Sequence, residues 1–276
     1  MAARYQVGWQ RLIPFIGYHH VLMMLLAVVI IVFSIILAGC TSSNSLTNVY
    51  LLSISYLNST TAPEPNPAQV NTNASTTFSN LTNANNGTHL EVRAGYMGLC
   101  ISQNVGVWLC SGSATALANL VKAQGVAVSG GDPLNLIWIA SKFRNEIVFN
   151  GLIFTAIPLA FITILLLATF PGWHVEEDDE GSEREVKPFP SRPVSQAALA
   201  IVAVSSIFMF VSVFWQHIAS STGATMVQTL SYGTVKGHVG LAAMILGWVG
   251  VLLSLIVTVG LLVMILSIRI LSESFG

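Results

Sequence analysis

Four long apolar stretches that contain no Asp, Glu, Lys or Arg constrain this chain more than any other feature of its sequence. Each is at least 18 residues long, and together they cover residues 21–38, 151–170, 197–214 and 239–266. A helix of about 20 apolar residues crosses the hydrocarbon core of a bilayer, which is about 30 Å thick. Charged residues make up only 8% of the chain, whereas soluble domains contain about 25%. The sequence therefore predicts an all-α membrane protein with a four-helix transmembrane bundle.

The segments between these stretches give a complete predicted topology. We assign residues 1–20 to a cytosolic N-terminus, 21–38 to transmembrane segment 1, 39–146 to a large extracellular loop, 147–170 to transmembrane segment 2, 171–195 to an acidic cytosolic loop, 196–215 to transmembrane segment 3, 216–238 to a short extracellular loop, 239–268 to transmembrane segment 4 and 269–276 to a cytosolic C-terminus. The acidic loop has the charge pattern of a solvated, flexible segment.

The orientation of the chain in the membrane is predicted from the large loop. It contains four Asn-x-Ser/Thr sequons, at Asn58, Asn73, Asn80 and Asn86, and the only closely spaced pair of cysteines. N-linked glycans and stable disulfides belong outside the cytosol. We therefore expect the plasma membrane as the location, the large loop outside the cell and both termini in the cytosol.

A third cysteine lies just after the first apolar stretch. Leu37-Ala38-Gly39-Cys40 has the form of a bacterial lipoprotein cleavage site, but a long N-terminal region precedes the stretch and three further spans follow it. We interpret Cys40 as an unpaired thiol at the outer end of the first span.

The large loop divides into two parts of different composition. Residues 42–89 are polar and rich in Asn, Ser and Thr, so we expect a glycosylated, disordered part. Residues 91–146 form a predicted folded cap. It has strand character over 91–113, helical spacing over 115–124, a turn at 130–133 and a helix over 134–149.

The cysteine pair fits a β-hairpin within the folded cap. If Cys100 faces Cys110, then Gln103 faces Val107 and residues 104–106 form a three-residue loop, with Gly106 at its left-handed position. Facing Cβ atoms in antiparallel strands lie about 4.5–5.5 Å apart, which suits a disulfide. Gly95 and Gly98 would let another backbone or a helix end approach closely.

The sequence Gly95-Tyr96-Met97-Gly98-Leu99-Cys100, followed by Cys110, resembles the signature of the fungal Fig family. These are mating-induced Ca2+ regulators and membrane-fusion proteins, distantly related to claudins. The resemblance implies four spans, a claudin-like extracellular cap of β-hairpin or sheet and helix, and a plasma-membrane role in Ca2+ influx and cell fusion. Claudin-like proteins have a Trp after Gly-Leu, whereas Leu99 here precedes Cys100 directly and the nearest Trp is Trp108. This departure disfavours a sealing or paracellular-pore role, and only Gly95, Gly98 and the two cysteines are carried over.

The transmembrane segments contain two small-xxx-small pairs, Ala243 with Gly247 and Gly250 with Ser254. Such pairs allow close helix contact, either within the bundle or on the face of a homo-oligomer. We favour packing within the bundle. Pro158 should bend the second span because its ring blocks a backbone hydrogen bond.

No arrangement of residues in the sequence predicts catalysis, nucleic-acid binding or a resident cofactor. His217 and His238 flank the short extracellular loop, but two histidines without a carboxylate or cysteine at ligand spacing are a weak metal signal. Ca2+ is expected only as the regulated or transported ion. The expected partners are the bilayer and, beyond it, a Ca2+ channel or fusion machinery.

Two alternative functions remain open from sequence. The protein could itself conduct Ca2+ as an oligomer, with Glu146 from each copy around an outer ion mouth, since cation pores use carboxylate or carbonyl rings. It could also be a claudin-like adhesion protein whose glycosylated loop touches another cell.

Overall fold

The structure, a computed structural model, describes residues 18–43, 45–57, 73–83, 90–104, 107–123, 132–170, 174–177, 183–186 and 191–275. Most of the predicted N-terminal segment, the sequons at Asn58 and Asn86, and the turn position Gly106 lie outside these residues. The chain divides into two compact units.

Seven α-helices and seven β-strands occur in the described residues. The helices are α1 (Tyr18–Leu37), α2 (Asn73–Asn83), α3 (Ala114–Ala123), α4 (Leu136–Lys142), α5 (Gly151–Ala168), α6 (Arg192–Leu230) and α7 (Leu241–Phe275), with a π-helical turn at Phe143–Ile147. The strands are β1 (Leu52–Tyr56), β2 (Glu91–Ala94), β3 (Leu99–Asn104), β4 (Val107–Ser111), β5 (His174–Glu177), β6 (Glu183–Val186) and β7 (Val235–Val239). Four helices, α1, α5, α6 and α7, are long and apolar enough to cross a membrane. The protein is therefore mostly helical, with four candidate spanning helices and a small antiparallel sheet.

The first unit comprises residues 1–31, 153–210 and 250–276. Small and hydroxyl-bearing residues join its helices, as expected where lipid supplies no hydrophobic drive for helices to associate. Ser205 of α6 donates a hydrogen bond to the Ala156 carbonyl of α5 at 2.8 Å, and the hydroxyl oxygens of Ser206 in α6 and Thr258 in α7 lie 2.9 Å apart. Gly260 of α7 packs against Tyr18 of α1.

The second unit comprises residues 32–152 and 211–249 and contains a five-stranded antiparallel sheet. The strand order is β4-β3-β2-β1-β7. Four strands come from the segment between α1 and α5, whereas β7 comes from the short connection between α6 and α7. The buried face of the sheet includes Leu52, Ile54, Val92, Leu99 and Ile101, each at most 1% exposed.

Asp132 holds α4 against this sheet. Its carboxylate accepts hydrogen bonds from the backbone N–H of Leu136 at 2.7 Å and of Ile137 at 3.0 Å, at the start of α4. It also accepts one from the Tyr56 hydroxyl of β1 at 2.7 Å. Burial, and then the nearby Asp132 charge, raise the pKa of Tyr56. The phenol therefore stays protonated and remains a donor to Asp132.

The predicted disordered part, residues 42–89, is wrong for the residues that the structure describes. Residues 52–56 form β1, which pairs with both β2 and β7, and residues 73–83 form α2. The polar composition of the stretch hid the apolar alternation of Leu52, Ile54 and Tyr56. Paired on both edges, this strand gains enough burial to offset the entropy of ordering it.

Most of the segment assigned to the short extracellular loop, residues 216–238, is regular secondary structure. Helix α6 continues to Leu230, and β7 begins at Val235. Polar residues after Trp215 end the apolar stretch but not the helix, because loss of hydropathy does not itself break a helical backbone. Hydropathy therefore marked the end of the apolar segment and not the end of the element.

Two further segments differ from the predictions. The helix expected over residues 134–149 is α4 followed by the π-helical turn, and Val148 is extended (φ −78°, ψ 116°) and separates them from α5. Within the acidic loop, β5 and β6 pair as a two-stranded antiparallel sheet, although a flexible segment was expected there.

Candidate functional site

The hairpin that contains the two cysteines has the predicted register at its base and a different one at its tip. Cys100 faces Cys110, and Ile101 faces Leu109. The register then shifts, so that Asn104 and not Gln103 faces Val107. A bulge of this kind places one extra residue on one strand, and the three-residue loop predicted from a regular ladder is therefore wrong.

The predicted disulfide between Cys100 and Cys110 is present. It joins β3 to β4, and Cys100 is completely buried. The backbone N–H of Cys110 donates a hydrogen bond to the Ser43 hydroxyl at 3.0 Å. This bond uses a donor on the outer edge of β4 and ties that edge to the segment after α1.

Gly95 and Gly98 lie against the backbone that follows α1. The Gly95 N–H donates to the Gly98 carbonyl at 2.9 Å, which closes a tight turn between β2 and β3. A Cβ on Gly95 would overlap the carbonyl oxygen of Gly39, and a Cβ on Gly98 would overlap that of Cys40. Because backbone atoms cannot move aside as a flexible side chain can, only glycine fits at both positions.

Cys40 forms the other side of this contact. Its backbone is left-handed (φ 58°), its side chain is fully buried, and its N–H donates to the Leu46 carbonyl at 3.2 Å. Burial raises the pKa of the Cys40 thiol to about 12. The thiol is therefore protonated and unreactive at neutral pH.

Arg93 is a central residue of this region that the sequence analysis missed. On β2 it faces Cys100, and its guanidinium carbon lies 3.8 Å from the ring centroid of Trp108 and 4.6 Å from that of Tyr50. The side chain is only 14% exposed and is ion-paired with Glu91 at 2.9 Å. Cation–π contacts of a partly desolvated Arg contribute about 1–2 kcal/mol.

The same guanidinium also fixes the segment between α1 and β1. Its Nη1 donates to the Thr47 carbonyl at 3.0 Å and to the Asn48 side chain at 2.9 Å. A usable sequence signal existed, because Trp108 and Cys110 are two residues apart on one strand and so share a face of the sheet. The residue that faces Cys100 on the next strand is Arg93, so its side chain lies on the same face as Trp108 and Cys110.

Tyr96 joins the motif to α6. Its hydroxyl donates to the Gln216 side-chain carbonyl at 3.0 Å, and Tyr96 and Gln216 are both buried. Burial raises the pKa of Tyr96 to about 12. The turn that contains Gly95 and Gly98 thus contacts both the end of α1 and the side of α6.

Two predicted glycosylation sites lie on α2. Asn73 and Asn80 are both exposed, and seven residues correspond to about two helical turns, so they lie on the same side of the helix. Phe78, on another side, lies 5.7 Å from the Tyr232 ring.

Glu146 lies on the π-helical turn and forms an ion pair with Lys142, one helical turn earlier. Arg144 is in the same turn, and its Nη1 donates to the Met97 carbonyl at 3.5 Å. Two cations therefore accompany the carboxylate that was considered for an ion mouth. The net charge of these three side chains is positive, so they form a poor site for a cation.

The small residues considered for a homo-oligomer face are buried within the chain. Gly247 lies against the Val213 side chain of α6, and the Ser254 carbonyl accepts a hydrogen bond from Ser206 at 3.3 Å. Ala243 and Gly250 are also buried. These residues therefore pack inside the protein, which agrees with the interpretation that we favour, and a homo-oligomer through transmembrane segment 4 stays a prediction.

The two histidines considered for metal binding, His217 and His238, contact no metal-ligating cluster in the described residues. His217 lies 3.1 Å from the Met244 sulfur, and its ring centroid lies 6.3 Å from that of Trp248. His238 lies on β7, opposite Ser53. Within the described part of the chain, no group of three or more His, Cys, Asp or Glu side chains is placed to hold a metal ion.

Taken together, the four candidate spanning helices and the disulfide-bonded sheet define the class: a membrane protein with a small disulfide-stapled antiparallel sheet. Residues 76–267 match the family described as Ca2+ regulator and membrane fusion protein Fig1. This match covers well over half of the chain, so the protein belongs to that family, as the motif of residues 95–110 predicted. No curated protein matches the chain.

We expect Gly98→Ala to destabilise the folded loop, because the added methyl group collides with the Cys40 backbone. Forced overpacking of this kind costs about 1–3 kcal/mol. Gly112→Ala is a matched control, since a Cβ there would come no closer than 3.9 Å to any atom outside the adjacent residues. The rate of Cys40 alkylation in purified protein during a thermal ramp measures the effect. Equal alkylation rates in the two variants would contradict the proposed contact.

We also expect the disulfide to stabilise this domain by roughly 2–3 kcal/mol, the chain-entropy value for so short a loop. Cys100→Ser should lower the unfolding temperature, and adding Cys110→Ser should lower it little further, because the bond is already lost. Mass spectrometry of protein from the cell surface checks the pairing directly. Finding both thiols free would refute it.

Proposed function

We propose that this protein is a plasma-membrane tetraspan that promotes Ca2+ influx and membrane fusion during mating, and that it acts through its disulfide-stapled outer loop. Its family is described as a Ca2+ regulator and membrane fusion protein. The observation that carries the finer proposal is the position of the Gly95–Gly98 turn, which packs on the end of α1 and bonds to α6. This loop is thus mechanically joined to two spanning helices.

The composition of the spanning helices supports a regulator more than an independent channel. The four apolar stretches contain no ionisable Asp, Glu, Lys or Arg, whereas intramembrane charges mark most ion paths. At the outer end, Glu146 is neutralised by Lys142 and lies beside Arg144. We therefore propose that Ca2+ passes through a separate channel, which this protein regulates as a partner.

A claudin-like arrangement of the outer domain is part of the proposal. Four strands come from the first outer loop and the fifth from the second, so the sheet spans both loops. The alternative function, adhesion to another cell, has one observation in its favour. The sequons at Asn73 and Asn80 share an exposed side of α2, which would present two glycans in one direction.

We propose that both termini and the acidic segment are cytosolic and that the sheet is extracellular. The disulfide supports this orientation, because such bonds persist outside the cytosol. The family's description names a regulator and a fusion protein and no reaction, and we propose no catalytic activity.

The orientation is tested by enzymatic deglycosylation of intact cells, which should increase the electrophoretic mobility of the protein. Glu180→Cys adds a thiol in the acidic segment, and this thiol should react with a membrane-impermeant reagent only after permeabilisation. Labelling of intact cells at position 180 would overturn the orientation.

The functional mechanism is tested by Ca2+ uptake in mating cells. Gly98→Ala and loss of either cysteine should reduce uptake strongly, whereas Gly112→Ala and Glu146→Gln should change it little. Surface expression of each variant, measured in parallel, serves as the control for delivery to the membrane.

A separate channel is distinguished from an intrinsic pore by reconstitution. Purified protein alone in liposomes should give no Ca2+ flux above that of empty liposomes. Flux that falls in the Glu146→Gln variant would show that the protein conducts Ca2+ itself, because loss of a carboxylate ring weakens cation attraction.

A further inference from the structure

We propose that residues 136–149, comprising α4, the π-helical turn and the two residues after it, form an interfacial segment whose exposed face lies in the headgroup region of the outer leaflet. The partner of this surface is the lipid bilayer itself. The role of this contact in fusion rests on the proposed function, whereas the contact itself rests on the exposure and neighbours of the residues below.

The segment has buried side chains that pack on the protein and large apolar side chains that are exposed. Leu136, Ile137, Ala140 and Phe143 are buried in the second unit. On the other side Trp138 is 60% exposed, Phe149 is 58% exposed and Ile147 is 44% exposed. Large apolar side chains exposed together within one short segment are typical of a protein or membrane contact.

The position of the segment along the chain favours the membrane. Phe149 lies two residues before Gly151, where the spanning helix α5 begins. An aromatic side chain this close to the start of a spanning helix lies within the interfacial region, because each helical residue advances only about 1.5 Å.

A hydrogen bond fixes the depth of the segment relative to α6. The Trp215 indole N–H donates to the Ile147 carbonyl at 2.9 Å. Trp215 directly follows the third apolar stretch, residues 197–214, and the polar residues Gln216 and His217 come after it. Tryptophan concentrates at the boundary between hydrocarbon and headgroups. Ile147 therefore lies at the level where α6 leaves the hydrocarbon.

The charges of the segment suit a phosphate-bearing surface. Lys142 lies 5.4 Å from the ring centroid of Trp138, so a cation and an indole share the exposed face. Basic side chains extend toward headgroup phosphates while aromatic rings enter the acyl boundary. Glu146 is the single carboxylate of the segment, and its negative charge is balanced by the ion pair with Lys142.

The experiment uses the full chain in phosphatidylcholine nanodiscs, with one cysteine added and labelled with a fluorophore. Trp138→Cys and Phe149→Cys report the interfacial segment, and Leu120→Cys on α3, where the leucine is 43% exposed, is the matched control. The buried Cys40 thiol, whose pKa burial raises to about 12, gives little background labelling. Unchanged Cys100–Cys110 pairing in each variant verifies the fold.

Nitroxide-bearing lipids in the nanodisc then serve as the quencher. Quenching at positions 138 and 149 should exceed that at position 120 by about threefold or more, because quenching requires near contact with lipid. Equal quenching at all three positions would overturn the inference. So would protection of position 138 in cells but not in nanodiscs, which would assign this face to a protein partner.

The contribution to fusion is measured separately. Trp138→Gln with Phe149→Gln should reduce cell fusion several-fold, while Leu120→Gln should leave it unchanged. Unequal quenching with unaltered fusion in the double variant would uphold the membrane contact and overturn its role in fusion. If the proposed function itself is wrong, cells that lack the protein should fuse normally.

Discussion

The close backbone contact of the turn of residues 95–98 with Gly39 and Cys40 is the constraint on which the sheet of the second unit depends. It leaves no space for a Cβ at Gly95 or Gly98, and it places Cys40 in a buried, left-handed conformation. Everything else in the region holds this contact in place. The disulfide fixes β3 to β4, Arg93 fixes β2 to the segment before β1, and Tyr96 fixes the turn to α6.

The same contact explains how much of the site could be predicted from sequence. The register at Cys100 and Cys110 was predictable because a disulfide requires facing strands, and the glycine spacing indicated a close approach. The partner of that approach was not predictable, because Gly39 and Cys40 lie more than 50 positions earlier in the chain. Arg93 was missed for a related reason, since its contacts with Tyr50 and Trp108 come from two other segments.

Hydropathy predicted the apolar cores of the spanning helices but not their ends. Helix α6 continues well beyond Trp215 into polar residues, and β1 lies in a stretch whose overall composition is that of a disordered segment. In both cases the deciding interactions are tertiary. The strand gains its burial from β2 and β7, one of which is contributed by the distant connection between α6 and α7. A local window of sequence cannot contain that information.

The hydroxyl groups of the first unit bear on how a charge-free bundle can take part in ion regulation. Ser205 donates to the Ala156 carbonyl at 2.8 Å, Ser206 lies 3.3 Å from the Ser254 carbonyl oxygen, and the hydroxyl oxygens of Ser206 and Thr258 lie 2.9 Å apart. Hydroxyls used in this way stabilise helix contacts. They are poor ligands for Ca2+, which prefers six to eight oxygens including carboxylates. In the described residues, these hydroxyls join neighbouring helices of the first unit.

Under the proposed function, a regulatory signal received by the sheet domain would be transmitted through packing. The disulfide and the Arg93 contacts hold β1, β2, β3 and β4 as one body, so this domain would move as a whole and not melt locally. Its attachments to α1 at Gly39–Cys40 and to α6 at Gln216 would transmit such a movement to two helices at once.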